Sequence, residues 1–172
     1  MNTSMKSVGS ATFAAAVVIG SFIATPPARA AVGDIALNGK YKATSLGNWA
    51  KIDDTARDIP TVIQTWTISS SCTDAQDCDG TVVSDQGWTE KVRTTDGEQW
   101  FVRHDVTNFE VCPDGSGFTG HQIYKFTPVT DDNHTVDVSP TLSGWDKTIG
   151  ESGACRVNKW LTISMPFRLD KL

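Results

Sequence analysis

Along most of this chain apolar and polar residues alternate with the period of two that marks a half-buried β-strand. The longest pattern runs from Trp100, where Trp100, Val102, His104 and Val106 share one face while Phe101, Arg103 and Asp105 share the other. After Asn108 the parity passes to Phe109 and Val111, which predicts a bulge or bend before the Pro113-Asp114-Gly115 turn. Thr61 to Ser70 alternates as clearly, with Val62, Gln64, Trp66 and Ile68 on one face. Thr81 to Ser84 and Trp88 to Thr94 flank Asp85-Gln86-Gly87, a tight hairpin turn, and Asp96-Gly97 is a second such turn. Further strands are expected at Leu37 to Ala50, irregularly, at Phe118 to Val129, at a shorter segment around Thr135 to Val138, and at Leu161 to Leu169. In the last of these Leu161, Ile163, Met165, Phe167 and Leu169 alternate without a fault, and Pro166 between them requires an edge, a bulge or a barrel seam.

About eight strands joined mainly by short turns define an all-β class. The expected architecture is an antiparallel meander closed into a small barrel of calycin type, with a β-sandwich as second choice.

The first 30 residues read differently. Lys6 is followed by an apolar run from Ala11 to Ile23, by Pro26-Pro27 and by the small-x-small triplet Ala28-Arg29-Ala30, the pattern of a secretory leader cut before Ala31. Residues 31–172 then form a single exported β domain of 142 residues, enough for one core. Losing Lys6 and Arg29 takes the formal charge from −5 to −7. So acidic a chain, without a basic stripe, argues against nucleic acid or an anionic bilayer as partner. The expectation is a freely soluble protein, secreted or held in the cell envelope, with no membrane insertion once the leader is removed.

All four cysteines, Cys72, Cys78, Cys112 and Cys155, lie in the exported part, and an even count there reads as disulfides. Cys72 and Cys78 bracket the polar loop TDAQD, so the local pair is the natural choice and leaves Cys112 to join Cys155. In a meander the strand that ends at Cys112 and the strand that starts after Cys155 share a rim if an even number of strands intervenes. The patterns at Phe118 to Val129 and Thr135 to Val138 supply two.

The runs WTISSSC…GTVVSDQGW, RHDVTNFEVCPDG and GACRVNKWLTISMPFRLDKL resemble a family of small exported proteins of unknown function in mycobacteria and related actinobacteria. The resemblance spans the chain from Gly39 onward and implies no activity. At fold level Gly39-Lys40-Tyr41 stands where lipocalin-type barrels often carry Gly-x-Trp.

Candidate chemistry is sparse. His104 and Asp105 point to opposite strand faces, so Asp105 does not orient His104, and the sequence lacks Gly-x-Ser-x-Gly, His-Glu-x-x-His and Ser-x-x-Lys. Neither an enzyme nor a cofactor is expected. None of His104, His121 and His134 has zinc spacing from a cysteine pair, and Asp74, Asp77 and Asp79 miss the twelve-residue calcium loop. Asn133-His134-Thr135 is a glycosylation sequon. The six tryptophans are the unusual feature: they either fill a small barrel or line an apolar cavity. Two functions follow. In one, the barrel binds a small hydrophobic or envelope-derived ligand against Trp66, Trp100 and His104. In the other, it is a non-catalytic structural or surface interaction protein with a solid core, acting through loops such as Thr73 to Asp77 and Asp114 to Gly117.

Overall fold

The computed structural model describes residues 35–172; the leader and its cleavage site before Ala31 lie outside the described residues. Ten strands form one antiparallel sheet: β1 (Asn38–Ser45), β2 (Lys51–Ile52), β3 (Thr55–Ala56), β4 (Val62–Cys72), β5 (Cys78–Ser84), β6 (Thr89–Thr94), β7 (Trp100–Val111), β8 (Gly117–Pro128), β9 (Thr141–Gly150) and β10 (Leu161–Lys171). The order β1-β4-β5-β6-β7-β8-β9-β10 closes on itself through the pairing of β1 with β10, giving an eight-stranded barrel. The short β2–β3 ribbon hangs from β10 outside that closure. Pro166 lies where β10 changes partner, between Ser164 paired with β2 and Phe167 paired with β1, so its missing N–H falls at the seam.

The hairpin of β5 and β6 turns through Asp85-Gln86-Gly87, with Gly87 at φ +86°, the geometry of a three-residue loop closed by a left-handed residue. In β7 the register slips from Val106 opposite Gly120 to Glu110 opposite Phe118, and Asn108 takes φ +53°. This is the bulge that the change of parity predicts.

One expected strand is corrected. Thr135 makes an isolated bridge to Val129, and the strand on this side of the barrel is β9, which begins at Thr141. The inward positions of β9 are Leu142, Gly144, Asp146, Thr148 and Gly150, while Trp145 points out. Apolar periodicity therefore runs against the true orientation. Gly144 is required because a Cβ there would collide with the Lys125 carbonyl of β8. The even count between Cys112 and Cys155 survives, since β8 and β9 intervene, and both disulfides form as expected: Cys72–Cys78 and Cys112–Cys155.

The hydrophobic core fills the half of the barrel nearer the Cys72–Cys78 rim, with Trp66, Ile68, Val82, Val92, Trp100, Val102, Phe126, Leu142, Phe167 and Leu169 buried. The other half is more polar inside, and at its rim the Cys112–Cys155 bridge ties the β7–β8 turn to the β9–β10 loop.

Candidate functional site

The three residues singled out from the sequence all come from inward faces, but they sit in different layers. Trp66 and Trp100 are fully buried, at 0% exposure. The Trp66 ring is packed edge-on against Tyr124 at 4.9 Å, with Phe167 at 5.3 Å and Phe126 at 6.2 Å between ring centroids. Its indole N–H donates to Gln64 Oε1 at 2.9 Å. Trp100, at the start of β7, keeps its indole N–H without a partner among the described residues. His104 lies a layer higher, stacked on Trp88 at 4.7 Å. Trp88 also meets Trp66 at 5.4 Å, so it joins the two sequence candidates that do not touch. His104 Nδ1 lies 3.5 Å from Glu90 Oε1 and makes no hydrogen bond. Asp105 faces outward and binds His121 instead, at 2.8 Å.

Above the aromatic core a polar belt crosses the interior. Asp146 of β9 is 1% exposed. Its Oδ2 accepts from Ser45 Oγ at 2.6 Å and its Oδ1 from Gln122 Nε2 at 2.8 Å. Burial pushes this carboxyl above the usual range, and the two donated bonds only partly oppose that. Burial, helped by the neighbouring Asp146 charge, raises the Tyr124 hydroxyl as well. Gln64 Oε1 takes a second bond from Ser84 Oγ at 2.8 Å. The belt satisfies polar groups that the closing strands bury, and its donors and acceptors are spent on one another.

At the Cys112–Cys155 rim the outer layer opens into a cleft of about 240 Å³. The bulge in β7 builds one wall. Phe109 swings over Gly120, where a Cβ would meet its ring at 2.5 Å, and packs edge-on against Phe118 at 6.1 Å. Glu110 and Val111 are thereby aimed at the opening. The β9–β10 loop builds the other wall with Ala154, Val157, Trp160 and Leu161. That loop is held in a tight form by left-handed backbone at Gly153, Cys155 and Arg156, and by the Gly153 N–H donating to the Val157 carbonyl at 2.8 Å. Trp160 lines this cleft and is 59% exposed.

Charged groups fringe this apolar floor. Lys159 Nζ meets Asp53 Oδ2 at 2.6 Å, and the Thr162 N–H donates to Asp53 Oδ1 at 2.9 Å. Lys159 first, and then that backbone bond, hold the Asp53 carboxyl below the usual range. Glu151 reaches His121 Nε2 at 3.4 Å. Asp105 and, less strongly, Glu151 raise the His121 imidazole above its ordinary value.

A second opening of about 410 Å³ at the opposite rim has Asp74, Asp96, Glu98 and Asp137 among its lining residues. Two of these carboxylates are spent on turns. Asp74 Oδ1 accepts from the Gln76 and Asp77 N–H groups at 2.7 and 2.8 Å, and Asp96 Oδ1 accepts from Glu98 and Gln99 at 2.9 and 2.8 Å. The Thr73 to Asp77 loop thus uses Asp74 to hold its own shape.

Trp160 and Val157 escape a reading by alternation, because a loop has no period, whereas Val111, the last residue of β7, was legible from the parity it shares with Phe109. The tryptophan count drew attention to Trp160, and the Cys112–Cys155 disulfide, which brings two distant segments to one rim, was the signal for its place.

No protein-family model matches this sequence, and no curated protein does. Among solved structures the fold is similar to the monomer form of the M. tuberculosis PknI sensor domain, with a TM-score of 0.53 at 15% identity over 80% of this chain and 88% of that one. At that identity the likeness concerns the fold: an all-β antiparallel barrel, here with two added short strands and two disulfides.

Proposed function

We propose that this chain is an exported binding domain, and that it holds a small apolar ligand in the cleft at the Cys112–Cys155 rim. The observation that carries the reading is Trp160, a large aromatic left 59% exposed in a concave apolar site that a disulfide braces. Solvent-facing apolar surface of this kind is costly to maintain and marks binding sites. Two disulfides fit an oxidising compartment such as the cell envelope or the exterior. The matched fold serves as a sensor domain in PknI, and a binding role accords with that. In this reading Trp66, Trp100 and the Asp146 belt form the frame, and recognition belongs to the loops. A direct role for Trp66, Trp100 and His104 in lining an interior ligand site is the rival version.

Native mass spectrometry of protein purified from its own host tests the proposal. A retained small molecule that is lost in Trp160→Ala, with the fold intact by circular dichroism, is the expected result. A ligand retained equally by Trp160→Ala but lost in His104→Leu would move the site to the interior.

A further inference from the structure

Resting on the cleft reading, we infer that this site selects apolar cations over neutral or anionic molecules with the same carbon skeleton. Three carboxylates, Asp53, Glu110 and Glu151, and one ammonium, Lys159, fringe the apolar floor. Their charges are not equally available. Lys159 lies on Asp53 at 2.6 Å, so that pair cancels. Glu110 has no ion-pair partner among the described residues, and the partner of Glu151 is His121, at 3.4 Å and charged only when protonated. Even a protonated His121 is shared, lying nearer Asp105 at 2.8 Å than Glu151, so the uncancelled charge at the mouth is negative and comes from Glu110 and, in part, from Glu151.

The floor strengthens the effect in two ways. Val111, Phe118 and Val157 present low-dielectric walls on which the field of the two carboxylates is less screened than over open water. The exposed indole of Trp160 offers a π face to a cation at the same opening. An anionic head group would meet Glu110 and Glu151 directly and would have to break Lys159 away from Asp53 to gain a partner. A neutral head group gains neither attraction. The site thus fits an apolar chain or ring that carries an ammonium or guanidinium group.

The test uses the mature chain and three matched probes, octylammonium, octanol and octanoate, titrated at low and high salt while the Trp160 indole N–H resonance is followed. The expected result is a preference for octylammonium of about threefold to tenfold over octanol at low salt. Octanoate should be weakest, and added salt should shrink the spread. In the double variant Glu110→Gln with Glu151→Gln the ratio of octylammonium to octanol affinity should fall toward one. If octanol or octanoate moves the Trp160 resonance as readily as octylammonium, the charge inference is overturned and the cleft reading stands. If none of the three moves it, both fall.

Discussion

Ser45 and Asp146 stand 101 residues apart in sequence and are joined by a 2.6 Å hydrogen bond inside the barrel, the serine hydroxyl donating to the carboxylate. They lie on β1 and β9, the two neighbours of β10, so the bond spans the strand that closes the barrel. With Gln122 from β8 on the other oxygen, one buried carboxylate ties three strands together.

That carboxylate gives the fold a pH dependence with a definite sign. Folding raises the Asp146 pKa, so the folded state holds the proton more tightly than the unfolded chain. Its cost is absent below the unfolded value, near 4, and grows as pH rises toward the folded value. Asp146→Asn removes this charge and keeps hydrogen-bonding groups for Ser45 and Gln122. Denaturant melts should show the variant gaining stability relative to wild type as pH rises from about 4 to 7. A stability difference that does not change over that range would contradict the assignment.

The two disulfides should differ in weight. The Cys112–Cys155 bridge has a sequence separation of 43 and the Cys72–Cys78 bridge one of 6. In the loop-entropy account, replacing the first pair by alanine costs roughly 4 kcal/mol and replacing the second roughly 2 kcal/mol. Melts of the two double variants measure this, and equal losses would show that the unfolded chain is not what the long bridge restrains.

Phe167 and Thr162 test the faces of β10. Phe167 is buried against Trp66, Tyr124 and Phe126, with ring centroids 5.3, 5.0 and 5.5 Å away. Phe167→Ala should cost roughly 3 to 5 kcal/mol, and Thr162→Ala under about 1 kcal/mol. Comparable losses in denaturant melts would mean that the inward face is wrong.

How legible each part was from sequence follows from where the burial signal lies. β4, β7 and β10 could be read because Trp66, Trp100, Val102, Phe167 and Leu169 put large apolar groups on inward positions, which recur at every second residue. The bulge was legible as a change of parity at Asn108. β9 was not, because its inward face carries glycines, Asp146 and Thr148 while Trp145 faces out. What makes Asp146 an inward residue is its pairing with Ser45 and Gln122, a long-range contact that leaves no local pattern. The tryptophans divide for a related reason. Trp66 and Trp100 sit mid-strand or at a strand start facing in, whereas Trp49, Trp145 and Trp160 are 69%, 52% and 59% exposed. Counting tryptophans could suggest a ligand site, but only the arrangement of the rim loops places an exposed one in a cleft.

The most direct test of the cleft as ligand seat is a map of amide chemical shifts on adding octanol, the neutral probe, to isotopically labelled protein of residues 31–172. The account predicts that the perturbed amides cluster at Glu110 to Cys112, Phe118 and Val157 to Leu161, while those of Trp66, Trp100 and His104 stay in place. Perturbations centred on Trp66, Trp100 and His104, with the rim loops unchanged, would contradict it.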